Sequence, residues 1–485
     1  MQSDSGNRYD VAVIGAGVAG ASVFHALTAF HLKVILLEKC EDVSFGVSRA
    51  NSGIIHAGFH HEPGTLKARL EVRGNAMFDE LHRRLHFPFS RPGILVAAFS
   101  PEELKTVRVL FERGVQNGVE GLELLSAERM MEMEPVLNTD VIGGMYAPSG
   151  GIIEPYRFVF ALVEAGLADG GELITGFDAV QVCKKNDLFE IASKDGRKIH
   201  ASFAVNAAGL FADEVSALFG GEQFTIRPRK GEEFLLRKGA SGMPRHVLFP
   251  VPSRLTKGTL VIPTVEGTMM VGPTAEDITD KNDLSTSSAN LELVFSRAVQ
   301  MVPSISRKDI ITSFAGLRPV LEGEDFFIKM SDTCTGLLQI VGIQSPGLTA
   351  APAIGEYACT LLENAGLRTG QSKKERAVLP PPRLARTADT ETLDHYTAED
   401  PAFGRIICRC EHVSEAEIIN AVRLGHKTVN GVKFYTRAGM GKCQGGFCMY
   451  HVIKLIAQTA GIPMTKVSLR GEGSELIFSI LGASE

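Results

Sequence analysis

Four cysteines near the C-terminus, Cys408, Cys410, Cys443 and Cys448, form a CxC pair and a CxxxxC pair separated by residues 411–442. Four thiolates gathered in one small domain suit a [2Fe–2S] cluster or a zinc ion held by all four. Structural zinc knuckles favour CxxC spacing, and a disulfide across CxC would be strained. A second group opens the chain: Gly15, Gly17 and Gly20 in GAGVAG, with Glu38 further on. Glycines at this spacing allow a tight turn, close backbone approach to a pyrophosphate and close helix–strand packing. The acid accepts hydrogen bonds from ribose hydroxyls and repels a 2′-phosphate, which disfavours NADP. The motif by itself leaves FAD and NAD both open.

A third set has the residue types of proton transfer and anion binding. Histidine titrates near neutrality and can act as a general base. His56 lies in IIHAG, with His60 and His61 close behind; by its apolar neighbours alone, His56 reads as a buried histidine bonded to backbone. Arg318, in FAGLRPV, can clamp a carboxylate or phosphate through two parallel hydrogen bonds. Surface exposure is the commoner fate of an arginine, but these apolar neighbours oppose it. Lys230, Arg254 and Lys257 are further cationic candidates for substrate binding. Cys40, Cys183, Cys334 and Cys359 are scattered in strand-like or helix-like sequence and read as core residues.

These groups need elements to position them. Tyr9–Ile14 is a short β-branched run that reads as a buried parallel strand. ASVFHALTAF then reads as a helix whose N-terminus faces a phosphate, and KVILLEK as a second strand ending near Glu38. Between the cysteine pairs, SEAEIINAVRLG has the serine cap, acidic first turn and apolar spacing of a short amphipathic helix. Residues 371–400, with a proline triplet and mixed charges, read as a linker. The 485 residues, 44% hydrophobic and 22% charged, predict a globular chain of about three domain-sized units. A net charge of −6 without any Lys/Arg tract argues against a nucleic-acid partner. No apolar run approaches a transmembrane span, and Met1–Asp10 lacks the features of a signal peptide. A reducing cytosol is the expected home, with peripheral membrane association only through a partner, so the cysteines read as ligands or core before disulfides.

Residues 46–70, GVSRANSGIIHAGFHHEPGTLKARL, resemble the D-amino-acid-oxidase-like (DAO) flavoprotein superfamily, within it the glycerol-3-phosphate dehydrogenase and L-2-hydroxyglutarate oxidase branch. The resemblance implies FAD, with Asn51, Ser52 and Gly53 beside the isoalloxazine and His56 at the flavin face. VNAAGLFAD resembles the second FAD-binding strand, where Ala207, Ala208 and Gly209 let the chain pass close to the cofactor. RPRKGEEFLL and TLVIPTVEGTMMVGPTAED resemble the substrate-domain sheet, and SFAGLRPV carries the substrate-facing arginine, Arg318. VGIQSPGLTAAPAIGEYA resembles the last FAD strand and helix, with Gly347, Leu348 and Thr349 at the flavin pyrimidine edge. Lys39 and Val180 complete the implied cofactor set. ICRCEHVSEAEI and TRAGMGKCQGGFCMYHVI resemble the bacterioferritin-associated-ferredoxin-like (BFD-like) domain in the form fused to glycerol-3-phosphate dehydrogenases. That likeness favours a [2Fe–2S] cluster on Cys408, Cys410, Cys443 and Cys448 over zinc.

The implied fold is α/β: a discontinuous Rossmann-like FAD-binding domain interleaved with an antiparallel-sheet substrate domain, plus a small α-helical BFD-like C-terminal domain. The expected flavoprotein module spans 1–370, with FAD-binding parts at about 1–85, 145–225 and 330–370 and substrate parts at about 86–144 and 226–329. The linker at 371–400 leads to the cluster domain at 401–485. The implied activity is oxidation of sn-glycerol 3-phosphate to dihydroxyacetone phosphate. A flavin accepts two electrons and a [2Fe–2S] centre carries one, so the pair suits delivery to an electron-acceptor protein or quinone-linked subunit. Two other readings are compatible with these residues: a dehydrogenase or oxidase of L-2-hydroxyglutarate, or a non-catalytic electron-transfer or metal-carrier flavoprotein.

Overall fold

Apolar, largely β-branched sequence makes Arg8–Ile14 (β1) a strand buried from Val11 onward. A computed structural model of the chain describes residues 8–252, 258–323 and 325–479. The elements that bear on function follow β1 in order: α1 (Val18–Leu27), β2 (Val34–Leu37), α2 (Leu66–Leu85), β3 (Glu172–Ile174), β4 (Lys198–Asn206), β5 (Arg227–Leu236), β6 (Met269–Gly272), β7 (Ile310–Val320), β8 (Leu337–Val341) and α3 (Gly347–Asn364). The sequence reading of strand, glycine turn, helix and strand holds over the first three.

The chain divides into two compact units. The first runs through Leu37 and continues over Ser44–Ile174 and Asp178–Leu379. It contains two large sheets. In one, β3, β2, β1, β4 and β8 are parallel neighbours in that order. The hairpin Ala179–Lys185/Leu188–Ser193 joins the outer edge of β4, and Phe327–Met330 joins β8 antiparallel. The other sheet has nine strands. β5 pairs β7 antiparallel from Arg227↔Val320 to Leu236↔Ile310, and pairs β6 through Phe234↔Val271. One departure from the expected antiparallel sheet is the parallel pairing of Val247–Pro250 with Ile94–Ala98. Its packed side carries Leu95, Phe234, Leu236, Leu248 and Val271.

The second unit comprises Glu38–Val43, Thr175–Phe177 and the chain from Pro380. Its helices include α4 (Glu415–Arg423), α5 (Val429–Thr436) and α6 (Met449–Ala460), with a short hairpin of Ile406–Cys408 and Val413–Ser414. Ser414 and Glu417 form the reciprocal capping box that the sequence predicts for α4. Ile418, Val432 and Ile456 pack with Cys408 and Cys448 in the core of this unit.

One expectation gains detail and one needs correction. The segment read as a linker contains the helix Thr390–Glu399, started by Asp389, whose side chain accepts from Thr392 N–H. None of its residues is buried, so the apolar periodicity that marks a packed helix is missing. Of the four cysteines read as core, Cys334 and Cys359 are buried, while Cys40 and Cys183 are only half-buried. Among the described residues, no helix is long and apolar enough to cross a membrane.

Candidate functional site

The glycine turn is built by contact. Gly15 has φ +100°, and a Cβ there would lie 2.6 Å from the Ala207 carbonyl oxygen beyond β4. A Cβ on Gly20 would lie 1.8 Å from Gly15 O, so α1 can pack here only without a side chain. α1 starts at Gly17 with no side-chain cap, and Val18 N–H donates to Ser48 Oγ at 2.9 Å. The N-terminus of a helix is suited to an anion such as a pyrophosphate. Glu38 is buried and accepts from Cys40 N–H at 2.9 Å. At β4, Asn206 Oδ1 accepts from Ala208 N–H at 3.3 Å and Gly209 adopts φ +59°, which bends the chain there. Lys39 and Val180 carry exposed side chains.

The NSG segment is shaped by its own asparagine. Asn51 Nδ2 donates to Ser48 O at 2.8 Å, and Asn51 Oδ1 accepts from Gly53 N–H at 2.9 Å. A Cβ on Gly316 would lie 2.0 Å from Ala50 O, so β7 runs directly against this segment. His56 is buried. Its N–H donates to Thr349 Oγ1 at 2.9 Å, its carbonyl accepts from Asn75 Nδ2 at 2.8 Å, and Nε2 lies 3.2 Å from Ser345 Oγ. The ring is therefore tied to the start of α3, whose first turn, Gly347, Leu348 and Thr349, has no side-chain cap. The His60 ring is 6.0 Å from that of His56.

β5 and β7 bring charge to the same region. Opposed residues of an antiparallel pair share a face. Arg229 pairs Arg318 and Gly231 pairs Gly316, so Gly231, Glu233 and Arg318 lie on one side of the sheet. A Cβ on Gly231 would lie 2.7 Å from an Arg318 guanidinium nitrogen, and Arg318 Nη1 donates to Thr274 O at 3.2 Å. Burial pulls the Arg318 pKa down and the Glu233 carboxylate holds it up. Glu233 is 3% exposed and accepts from Ser52 Oγ at 3.2 Å through Oε1. Burial pushes its carboxyl up to about 7, against the opposite pull of Arg318 and Ser52.

The predicted residues therefore separate. His56, Ser52 and the start of α3 are bonded into one neighbourhood, and Arg318 lies on the strand that abuts it. Lys230 belongs elsewhere: it lies on the other face of β5, its ammonium 2.9 Å from Asp283 Oδ2. Arg254 and Lys257 lie outside the described residues. Sequence reasoning missed Glu233, Ser345 and Asn75. Ser345 precedes the cis Ser345–Pro346 bond at the start of α3, a sequence position that marks a helix entry.

In the second unit the four cysteines meet in two pairs. Cys410 Sγ lies 3.5 Å from Cys443 Sγ, and Cys408 is hydrogen-bonded to Cys448. That bond draws the Cys408 thiol down to about 6 and pushes Cys448 up, as expected when two sulfurs share a proton. The buried pair Arg437 Nε–Glu411 Oε2, at 2.9 Å, ties the two cysteine-bearing segments together. A Cβ on Gly441 would lie 2.3 Å from Cys410 Cβ. Two pairs of thiolates match two irons with two cysteines each. The four-thiolate donor set suits the two-iron centre.

Residues 10–361 match the FAD dependent oxidoreductase family, DAO, and residues 406–458 match the BFD-like [2Fe-2S] binding domain. A glycerol 3-phosphate dehydrogenase from Caloramator mitchellensis is 41% identical over 478 residues, covering 97% of this chain and 98% of the relative. A glycerol 3-phosphate oxidase from Mycoplasma pneumoniae is 29% identical over 361 residues, 73% of this chain and 94% of its own. Among solved structures, dithionite-reduced L-α-glycerophosphate oxidase from Mycoplasma pneumoniae with FAD bound matches with a TM-score of 0.73 at 28% identity. The match covers 77% of this chain and 99% of that one.

Proposed function

Because the chain belongs to the DAO family of FAD-dependent oxidoreductases, as a glycerol-3-phosphate-dehydrogenase-like enzyme with a BFD-like [2Fe–2S] domain, we propose that it oxidises sn-glycerol 3-phosphate to dihydroxyacetone phosphate. Cys408, Cys410, Cys443 and Cys448 would hold a [2Fe–2S] cluster, which would supply one-electron transfer towards an external protein or quinone-linked acceptor, with the reaction in the cytosol. The observation that carries the substrate assignment is the likeness to the Caloramator mitchellensis dehydrogenase across nearly the whole of both chains.

Bound FAD supplies the two-electron acceptor for the hydride leaving the substrate carbon. The chain's own residues do the rest. Gly15, Gly17 and Gly20 would hold the pyrophosphate of FAD, Glu38 the ribose, and Asn51–Gly53 and Gly347–Thr349 the flavin ring. His56 Nε2 takes the hydroxyl proton after exchanging its 3.2 Å contact with Ser345 Oγ for the substrate hydroxyl. Arg318 holds the phosphate, its fork steadied by the Thr274 carbonyl. The module boundaries given by the sequence, with FAD-binding parts flanking substrate parts before the cluster domain, are part of this reading.

The test is anaerobic addition of substrate to the purified holoprotein, read by the visible flavin band. Bleaching by glycerol 3-phosphate and not by L-2-hydroxyglutarate supports the proposal. The reverse pattern transfers the assignment to the 2-hydroxy acid. Bleaching by dithionite alone defeats the dehydrogenase reading in favour of an electron relay.

A further inference from the structure

The proton and hydride chemistry above leaves the buried acid Glu233 unused. Glu233 reaches from β5 to the NSG segment, where Ser52 Oγ engages its Oε1. Its Oε2 is buried and has no partner among the described residues. A buried carboxyl oxygen without a partner costs free energy, and a ligand group that fills the position recovers it. Four sides face this carboxyl. β5 contributes Gly231 and Arg229, the latter occupied by Asp277 at 2.5 Å. β7 contributes Arg318. The turn after β6 contributes Gly272, where a Cβ would lie 2.8 Å from Glu233 Cγ, followed by Pro273 and Thr274. The loop contributes Ser52. Of these, Arg318 is the cation that bears directly on the Glu233 carboxyl.

We propose that Glu233 determines specificity: its free oxygen hydrogen-bonds the substrate's terminal hydroxyl, on the carbon that carries neither the phosphate nor the oxidised hydroxyl, and its carboxyl disfavours substrates that carry a carboxylate there. The inference rests on the substrate reading above and adds the residue that distinguishes a hydroxyl from a carboxylate in it. A hydroxyl serves Glu233 in either protonation state, donating to the carboxylate or accepting from the acid. A substrate carboxylate can only accept, so it fits only while Glu233 is protonated. Discrimination against carboxylates therefore grows as pH rises through neutrality and Glu233 takes up its negative charge.

The test uses the oxidised, full-length holoprotein and ligands that do not turn over. Dihydroxyacetone phosphate is compared with hydroxyacetone phosphate, which lacks only the hydroxyl in question, by titration calorimetry. The wild type should bind the first about 10-fold more tightly. Glu233→Leu should bring the two within about 2-fold, with the flavin spectrum reporting an intact fold. Glu233→Gln should keep the preference, since an amide still pairs with a hydroxyl. It should also bind 2-oxoglutarate about 10-fold more tightly than wild type at about pH 8 and equally at about pH 6. Equal wild-type affinity for the two phosphates, or a preference that survives in Glu233→Leu, overturns the proposal. Failure of glycerol 3-phosphate to bleach the wild-type flavin would sink the substrate reading instead, and the 2-oxoglutarate comparison would still test the role of the Glu233 charge.

Discussion

A carboxyl that burial holds protonated to about 7 stores a pH-dependent strain. Free glutamate has a reference value of 4.5. Between those values folded Glu233 keeps a proton that the unfolded chain has lost, so its contribution to stability falls as pH rises across the window and is flat above it. Glu233→Gln has no proton to lose. Urea unfolding should show the variant gaining on wild type from about pH 5 to about pH 8, by up to roughly 3 kcal/mol. Parallel pH profiles for the two proteins would remove this account of Glu233. At His56 the expectation is kinetic. His56→Gln should slow flavin reduction about 10³-fold in stopped-flow while leaving substrate affinity nearly unchanged. Arg318→Met should instead raise the substrate KM about 10²-fold with FAD still bound. The neighbours of His56 gave a buried histidine, and its assignment to the flavin face, like the substrate-facing place of Arg318, came from the family resemblance. Glu233 was not legible, because KGEEFLL offers two adjacent acids and sequence cannot say which side of the strand is enclosed. In the fold Glu232 turns to Ser287 and Asn290, and Glu233 turns to Ser52.

At the scale of elements, the strand–turn–helix around GAGVAG could be read in advance because its requirements are local: glycine at the turn, apolar strands on either side. The overlap that a Cβ on Gly20 would make with Gly15 O gives the motif a sharp test. Gly20→Ala should purify with little FAD, measured as flavin absorbance per chain, and normal FAD content would refute the packing argument. The capping box of α4 was legible for the same local reason. Ser414→Ala should cost about 1 kcal/mol of stability in chemical unfolding. The pairing of β5 with β7 was not legible, since it joins segments distant in the chain and depends on register. That register decides that Arg318 shares a face with Gly231 and Glu233 while Lys230 points the other way to Asp283.

At the scale of the molecule, an FAD-binding part and a four-cysteine part were both visible as motifs, while the composition of each compact unit was not. Cys443→Ser should abolish bound iron while glycerol 3-phosphate still bleaches the flavin, and reduction of an external acceptor should fall; undiminished acceptor reduction would remove the cluster from the electron path. The second unit also draws on Glu38–Val43 and Thr175–Phe177, and within it Asp42 Oδ2 lies 2.7 Å from buried His426 Nδ1. This sets a schedule for synthesis. Asp42 leaves the ribosome 384 residues ahead of His426, which at ordinary elongation rates is a delay on the order of tens of seconds. The loop that carries Glu38 is therefore completed only when the final stretch of the chain has emerged.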